Sequence, residues 1–291
     1  MTKCATTCVV VICADVDGGL QCARRPPATH TVEPMTAPLD PLSLFRLDGH
    51  VALVTGASSG LGERFARVLH AAGATVVVAA RRAERLDALV AELPGAVAVA
   101  ADLGVADDRE RLVESTLDRC GRIDVLVNNA GVGSPVRVED ETLDWFRDVM
   151  ELNVTAVWHL SQLCGAAMVA AGSGSIINIG SMLGHVASTP VKQAHYSASK
   201  GAVVNLTREL AAQWGRKGVR VNTLSPGWFE SEMTAGMESD PSSQAYVEAN
   251  ALLPRMGAAD ELDGALLLLA SRAGGYITGH SLLVDGGWTA R

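Results

Sequence analysis

Short runs of apolar, often β-branched residues alternate along this chain with longer segments of helical periodicity. Seven of these runs have the length of strands and are apolar at successive positions: Val51–Thr55, Thr75–Ala79, Val97–Ala100, Asp124–Val127, Ser175–Ile179, Val219–Thr223 and Ser281–Val284. Strands that are apolar on both faces, with helices between them, are typical of a parallel sheet covered on both sides. We therefore predict an α/β fold with a doubly wound sheet of seven parallel strands.

The regular pattern begins near residue 47. Residues 1–46 contain several prolines, including the run Arg24-Arg25-Pro26-Pro27, and Met35 is an alternative start site. We expect a disordered extension over 1–46 and a single domain over 47–291. The cysteines of the extension match no paired zinc-binding spacing, and we expect no metal site: Cys4, Cys8, Cys13 and Cys22.

Composition narrows the class of protein further. The net charge of −8 and the pI of about 5.4 argue against a nucleic-acid partner. No uninterrupted apolar run approaches the roughly 20 residues of a membrane span, so we expect no membrane partner. Cys120 and Cys164 lie in helical surroundings and are interpreted as buried thiols, consistent with a reducing, cytoplasmic location.

A glycine-rich turn follows the first predicted strand. Gly56, Gly60 and Gly62 are spaced G-x-x-x-G-x-G and lead into an amphipathic helix. Glycines let a pyrophosphate approach the backbone amides, and the positive end of the helix dipole attracts its charge. The segment therefore predicts a phosphate-binding turn, although an ordinary glycine-rich turn has the same composition. Its residues are Gly56, Ser58, Ser59, Gly60, Leu61 and Gly62.

Tyr196 and Lys200 are four residues apart on a predicted helix and therefore lie on one face of it. A phenol with a pKa near 10 exchanges protons poorly at neutral pH. A neighbouring ammonium favours the phenolate, so we expect Lys200 to lower the pKa of Tyr196. The alternative is a half-buried tyrosine beside a surface lysine.

Several segments follow the glycine-rich turn in a fixed order: Asn128-Asn129-Ala130-Gly131, Asn153, Ser181, Tyr196-Ser-Ala-Ser-Lys200, Pro226-Gly227 and Val284-Asp285-Gly286-Gly287. With them, residues 47–291 resemble the short-chain dehydrogenase/reductase family, in its single-domain branch. The resemblance implies a Rossmann-type sheet. It also implies an NAD(P)-dependent oxidoreductase that interconverts a carbonyl and a secondary alcohol.

The resemblance assigns a role to each catalytic position. Tyr196 exchanges the proton, Lys200 binds the nicotinamide ribose, and Ser181 holds the substrate oxygen, unless Ser181 is only a helix cap. Asn153 resembles the position that holds a water of the proton relay. The other cofactor contacts that it implies are Asp102, Leu103, Asn129, Ala130, Gly131, Pro226, Gly227 and Ser231, with Asn128 beside them and with helix capping as an alternative for Asp102.

The end of the second strand bears on the choice of cofactor. An acidic residue there selects NAD by binding the ribose 2′-hydroxyl, and this chain has Ala80 instead. Arg81 follows and can pair with a 2′-phosphate, and Arg82 beside it is a further expected cofactor contact, so we expect NADP(H) rather than NAD(H). The alternative is that both arginines only begin an exposed helix.

The substrate is less well specified. Segment 228–253 is predicted to be a mobile lid or a packed helical flap, and His185, Gln193 and Trp228 are candidate substrate contacts. Competing interpretations are an NAD-dependent alcohol or sugar-acid dehydrogenase and a cofactor-binding sensor without turnover. Helices near 140–170 and 195–215, with Gly286-Gly287-Trp288, resemble the family's subunit interfaces and imply a homodimer or homotetramer.

Overall fold

Seven parallel strands form the centre of the molecule in a computed structural model that describes residues 40–237 and 239–290. Their order across the sheet is β3-β2-β1-β4-β5-β6-β7, which confirms the predicted doubly wound topology. The strands are β1 (Val51–Thr55), β2 (Thr75–Ala80), β3 (Val97–Ala100), β4 (Val125–Asn128), β5 (Gly174–Ile179), β6 (Val219–Pro226) and β7 (Ser281–Val284).

Eight α-helices join or flank these strands in the described part of the chain. They are α1 (Gly60–Ala71), α2 (Ala83–Glu92), α3 (Ala106–Cys120), α4 (Leu143–Met150), α5 (Ala156–Ala171), α6 (Ala194–Trp214), α7 (Pro241–Asn250) and α8 (Asp263–Ala270). Strand β6 continues three residues past the predicted end, because Leu224, Ser225 and Pro226 still pair with β7.

Two apolar clusters cover the two faces of the sheet. On one face, Val54 and Val78 pack with Phe65 of α1 and Leu266 of α8. On the other face lie β1 residues such as Leu53, with residues of α3, α5 and α6. Successive strand residues point to opposite faces, and both faces are buried, so the strands read as continuous apolar runs.

Helices α4 and α5 are joined by one π-helical turn, Glu151–Thr155, into a continuous helix over Leu143–Ala171. It has 29 residues, and a window of 18 of them has a mean hydropathy of 1.3, so by length and composition alone it could span a membrane, contrary to the expectation from the apolar runs. Leu160, Cys164 and Met168 of α5 are buried in the cluster against the sheet. Packing on the sheet therefore accounts for the apolar composition of this helix.

The folded unit begins at Asp40, earlier than the predicted boundary at 47. Pro41–Phe45 form a 3-10 helix whose first turn is capped by the Asp40 side chain. Leu47 is buried, and its amide donates to the carbonyl of Ala72 at 2.8 Å. Residues 40–46 therefore belong to the domain, while the rest of the predicted extension, with Met35 and the four N-terminal cysteines, lies outside the described residues.

The two cysteines of the described chain lie on helices of the same face. Cys164 is buried, as predicted, and burial raises the pKa of its thiol to about 12. Cys120, at the end of α3, is only half-buried.

Candidate active site

A cavity of about 1200 Å³ runs along the carboxyl ends of the strands. The order of the sheet reverses between β1 and β4, and crevices at such a switch point bind ligands in open α/β sheets. All the predicted cofactor contacts except Asn128 line this cavity: Gly56, Ser58, Ser59, Gly60, Leu61, Gly62, Arg81, Arg82, Asp102, Leu103, Asn129, Ala130, Gly131, Tyr196, Lys200, Pro226, Gly227 and Ser231.

The turn between β1 and α1 is held tightly at one end of the cavity. Gly56 has φ +65°, which only glycine adopts readily. The Asn129 side chain donates to the carbonyls of Thr55 at 3.0 Å and Gly56 at 3.2 Å. A Cβ on Gly62 would lie 2.3 Å from the Gly56 oxygen, so the helix starts directly against the turn.

The first turn of α1 has the properties of a phosphate site. Its N-cap residue Ser59 makes no capping hydrogen bond through its side chain in the described structure, and Gly60, Leu61 and Gly62 line the cavity. A helix N-terminus presents free amides and partial positive charge. The residues present therefore fit the pyrophosphate of a dinucleotide.

Arg82 is hydrogen-bonded to the glycine-rich turn and to Glu232 at this end of the cavity. Its guanidinium donates to Ser58 Oγ at 2.9 Å and Ser59 Oγ at 2.7 Å. Glu232 accepts from Arg82 at 3.1 Å, from Arg85 at 2.8 Å and from Ser59 at 2.7 Å. These hydrogen bonds lower the pKa of the Glu232 carboxyl to about 2, and the bond with Arg82 has the largest effect. The sequence predicts Arg81 as the partner of a 2′-phosphate, whereas the structure places the guanidinium of Arg82 beside the turn.

Ser181 and Tyr196 are brought together at the other end of the cavity. Ser181, which follows β5, lies beside Tyr196, and its side chain acts to lower the pKa of the Tyr196 phenol. Ser181 Oγ also accepts from the amide of Leu183 at 3.1 Å and so caps the 3-10 helix Met182–Gly184. The two interpretations of Ser181, a cap and a substrate contact, are therefore compatible.

Lys200 lies one helical turn after Tyr196 on α6, as the four-residue spacing predicts. Its Nζ is 5.5 Å from the centroid of the Tyr196 ring and donates to the carbonyl of Ile179 at 2.8 Å. Burial lowers the pKa of Lys200 to about 8.

The expected lowering of the Tyr196 pKa by Lys200 is wrong for the chain alone. Burial raises the pKa of Tyr196, and the side chain of Ser181 opposes this rise only partly. Burial also disfavours the charged form of Lys200, so its ammonium does not offset this rise in the pKa of Tyr196.

Asn153 lies in the π-helical turn and is buried, 1% exposed. Its amide group accepts from the Val132 amide at 2.9 Å and donates to the Val132 carbonyl at 2.8 Å. It also donates to Ser199 Oγ at 3.0 Å, the residue before Lys200. The unfavourable mid-helix position is thus offset by bonds that tie the loop after β4 to α6. Asn153 does not itself line the cavity, and its place in a proton relay stays a prediction.

Two residues expected at the site lie elsewhere. His185 is absent from the described residues that line the cavity; its Nε2 lies 3.0 Å from Ser281 Oγ, because the chain turns toward β7 after Gly184. Asn128 is buried within the sheet and donates to Ser161 and Asn178 rather than flanking the cavity. Gln193 and Trp228 do line the cavity, as predicted.

Ser231 and Asp102 line the cavity and also have a local structural role. Ser231 forms a capping box with Thr234 at the 3-10 helix Glu232–Thr234. Asp102 accepts from the amide of Gly104 at 3.0 Å and is not the N-cap of α3, which is Val105.

Sequence reasoning missed Glu232 and Trp145 as wall residues. Glu232 directly follows Ser231, so its place after Pro226-Gly227 was an available signal. Trp145 is brought to the cavity by the packing of α4, which no local pattern reveals.

Comparisons with known proteins identify the family of this chain. The family model described as Enoyl-(Acyl carrier protein) reductase matches residues 56–289. Galactitol 2-dehydrogenase (L-tagatose-forming) of Cereibacter sphaeroides is 40% identical, over 86% of this chain and 99% of its own. Gluconate 5-dehydrogenase of Gluconobacter oxydans (strain 621H) is 38% identical, over 84% of this chain and 97% of its own.

Solved structures agree as well. A short-chain type dehydrogenase/reductase from Mycobacterium marinum is 36% identical and covers 87% of this chain and all of its own (100%), with a TM-score of 0.82. A gluconate 5-dehydrogenase from Burkholderia cenocepacia J2315, in complex with NADP and tartrate, is 34% identical. It covers 87% of this chain and 100% of its own, with a TM-score of 0.82. The chain therefore belongs to the short-chain dehydrogenase/reductase family of NAD(P)-dependent oxidoreductases.

Proposed function

We propose that this enzyme transfers a hydride between NADP(H) and an uncharged ketone or secondary alcohol. The observation that carries the proposal is the meeting of Tyr196, Ser181 and Lys200 at one end of a cavity whose other end suits a pyrophosphate. A sensor without turnover has no need of this proton-handling group.

The residues divide the chemistry between them. When bound, the nicotinamide supplies or accepts the hydride. Ser181 and Tyr196 both line this end of the cavity, and their hydroxyls are placed to hold a substrate oxygen between them. Burial keeps Tyr196 protonated at neutral pH, so its phenol is ready to donate the proton to that oxygen in reduction. In oxidation the same oxygen of Tyr196 takes the proton back.

Tyr196→Phe tests this assignment. Loss of the phenol should lower kcat by about a thousandfold or more, within the range attributed to acid–base catalysis. The affinity for NADPH, measured by fluorescence titration, should stay within about twofold, because the ring is kept. Tyr276→Phe is the matched control, since Tyr276 is fully exposed at 104%. Near-normal turnover of Tyr196→Phe contradicts the proposal.

The residues at the carboxyl end of β2 support NADP(H) as the cofactor. Ala80 leaves no carboxylate there, and Arg82 is held beside Ser58 and Ser59 by hydrogen bonds. Arg82 is thus placed to pair with a 2′-phosphate, in exchange for Glu232. Relatives also support this cofactor, including a putative 2-deoxy-D-gluconate 3-dehydrogenase from Agrobacterium tumefaciens with bound NADP.

Arg82→Ala tests whether Arg82 contributes to the binding of NADPH but not of NADH. The variant should weaken NADPH about tenfold or more and NADH by no more than about twofold, because a charge-assisted hydrogen bond contributes roughly 1.5–3 kcal/mol. Arg81→Ala, measured in parallel, shows which arginine carries the contact. Equal losses for NADPH and NADH in Arg82→Ala, or a wild-type preference for NADH, contradict the NADP(H) proposal.

The charges around the cavity support an uncharged substrate. Among the described residues that line it, the cations are Lys200, which is bonded to Ile179, and Arg81 and Arg82 at the phosphate end. Asp148 and Glu151 also line the cavity.

The segment after Gly227 adds negative charge. Segment 228–253 contains five acidic residues and no lysine, arginine or histidine. A substrate carboxylate would therefore find repulsion and no free cation near Tyr196, whereas Trp145, Met182 and Trp228 offer apolar walls.

A substrate panel with NADPH and NADP⁺ tests this class. We expect kcat/KM for uncharged ketones and secondary alcohols to exceed that for sugar acids and keto acids of equal length by at least about tenfold, the cost of one unpaired buried charge being several kcal/mol. Faster turnover of the acids contradicts the substrate class and leaves the reaction type intact. No turnover of any member contradicts the proposed function itself.

An exposed aromatic side chain bears on the assembly of the protein. Trp158 on α5 is 45% exposed, on a helix that resembles the family's subunit interface. We propose a homodimer or homotetramer in the cytoplasm. Sedimentation velocity should give a species of twice or four times 30.3 kDa, and a monomer at micromolar concentration contradicts the assembly.

A further inference from the structure

A buried carboxylate and a buried imidazole lie next to the proton donor. His195, directly before Tyr196, is 0% exposed, and the side chain of Glu141 is 6% exposed. Glu141 Oε1 is in contact with His195 Nδ1. Burial of such a pair brings a desolvation cost that surface residues avoid, and neither residue has a role in the reaction described above. The pair therefore needs a local explanation.

The hydrogen bonds of His195 define its protonation. Its Nε2 accepts from the backbone amide of Ser134 at 3.4 Å, so this nitrogen carries no proton. The proton of the neutral ring is then on Nδ1, which faces the carboxylate of Glu141. Trp145 closes the other side, with its ring centroid 6.0 Å from that of His195 in an edge arrangement. Glu141 thus sets the tautomer that lets His195 hold Ser134.

The loop held in this way forms a wall for Tyr196. A Cβ on Gly133 would lie 2.6 Å from Tyr196 Cδ2, so the loop backbone touches the phenol ring. The neighbouring Val136 amide donates to the carbonyl of Lys192 at 2.8 Å. Between these contacts, the link from Ser134 to His195 ties the loop to the start of α6.

We propose that Glu141 and His195 are positioning residues, which press the loop of residues 132–136 against the Tyr196 ring and so keep the phenol on Ser181. This inference rests on the proposed role of Tyr196 as proton donor. The chain of contacts runs from Glu141 through His195 and Ser134 to the backbone at Gly133, which touches the ring.

Three variants test the positioning role. Glu141→Ala should lower kcat about tenfold, because a displacement near 1 Å of a catalytic group costs up to a hundredfold. Binding of NADPH should stay within about twofold of wild type, since the phosphate end of the cavity is built from other elements. Glu141→Gln should recover most of the activity, because its amide oxygen can take the place of Oε1 against Nδ1.

His195→Asn is the second probe, should Glu141→Ala fail to fold. Its amide nitrogen takes the place of Nδ1 and still donates to Glu141, while nothing reaches Ser134. The buried carboxylate thus keeps a partner and the link to the loop is cut. We expect the same loss of kcat with unchanged NADPH binding.

Asp263→Ala is the matched control for loss of stability. Asp263 forms a two-bond ion pair with Arg64, at 2.7 and 2.6 Å, that joins α8 to α1 away from Tyr196. It should lower the melting temperature and leave kcat unchanged.

The outcomes are distinct. Variants at 141 and 195 that melt earlier but keep wild-type kcat overturn the positioning role, and so does a Glu141→Gln variant as slow as Glu141→Ala. A wild-type enzyme inactive on the whole panel overturns the proposed function instead.

Discussion

Lys200 is a cation in the interior of the molecule, 5% exposed, with the Ile179 carbonyl as its hydrogen-bond acceptor. Its pKa falls from an ordinary 10.5 to about 8 because burial penalises the charged form. At pH 7 the folded chain must keep a charge that the unfolded chain holds more favourably. Active-site residues of this kind reduce stability for the sake of function.

Lys200→Met should therefore stabilise the protein while abolishing turnover. Because folding lowers the pKa of Lys200 from 10.5 to about 8, buried Lys200 costs no stability above pH 10.5. The cost grows as the pH falls through this range and is complete below the folded-state pKa of about 8. The penalty is about 3 kcal/mol at pH 7 and about 1 kcal/mol at pH 9.5. Loss of the bond to Ile179 offsets about 1 kcal/mol, which leaves a gain of about 2 kcal/mol at pH 7.

Urea unfolding at pH 7 and pH 9.5 measures this gain. Lower stability of the variant at pH 7, or a gain that does not shrink at the higher pH, contradicts the account of Lys200.

At the scale of elements, the meeting of β1 and α1 depends on one glycine. A Cβ on Gly62 would approach the Gly56 oxygen to 2.3 Å and the Asn129 amide nitrogen to 2.4 Å. The same turn lines the cavity. Stability and cofactor binding are therefore coupled at this position.

Gly62→Ala should push α1 away from the turn. We expect a loss of about 2 kcal/mol in the free energy of unfolding, typical of overpacking, and at least about a tenfold weaker affinity for NADPH. Gly264→Ala on α8 is the matched control, because nothing lies within 4 Å of its added Cβ. It should be more stable than wild type by about 0.5–1 kcal/mol. Unchanged NADPH binding in Gly62→Ala would show that the turn tolerates a side chain.

At the scale of the whole molecule, a chain of buried hydrogen bonds crosses the sheet. Asn128 of β4 donates to Ser161 of α5 at 3.1 Å and to Asn178 of β5 at 2.9 Å. Asn178 donates to Thr207 of α6 at 2.9 Å, and Thr223 of β6 lies 2.8 Å from Thr207. The chain joins helices and strands on the side of the sheet where the catalytic residues lie.

Asn178→Leu should break this chain at its centre. The Asn128 amide and the Thr207 hydroxyl each lose a partner while buried, at a total cost of about 3 kcal/mol. Thr116→Val is the control, because that buried hydroxyl bonds only to the Leu112 carbonyl of its own helix; it should cost less than about 1 kcal/mol. Calorimetry or urea unfolding measures both, and equal losses would contradict the network.

The strands, the order of the motifs and the spacing of Tyr196 and Lys200 were readable from the sequence. Apolar runs such as Val76-Val77-Val78 have few alternatives to a buried strand, and residues four apart on a helix share a face wherever it packs. These features are local, so the chain itself determined the fold class and the reaction type.

The tertiary structure decided what depends on distant neighbours. It placed Arg82 rather than Arg81 beside Ser58 and Ser59, because Glu232 of segment 228–253 holds that guanidinium. It turned His185 toward β7, and it raised the pKa of Tyr196, because burial of the phenol outweighs the opposing effect of Ser181. Contacts between residues far apart in the chain, and exclusion of water by packing, leave no trace in a local pattern.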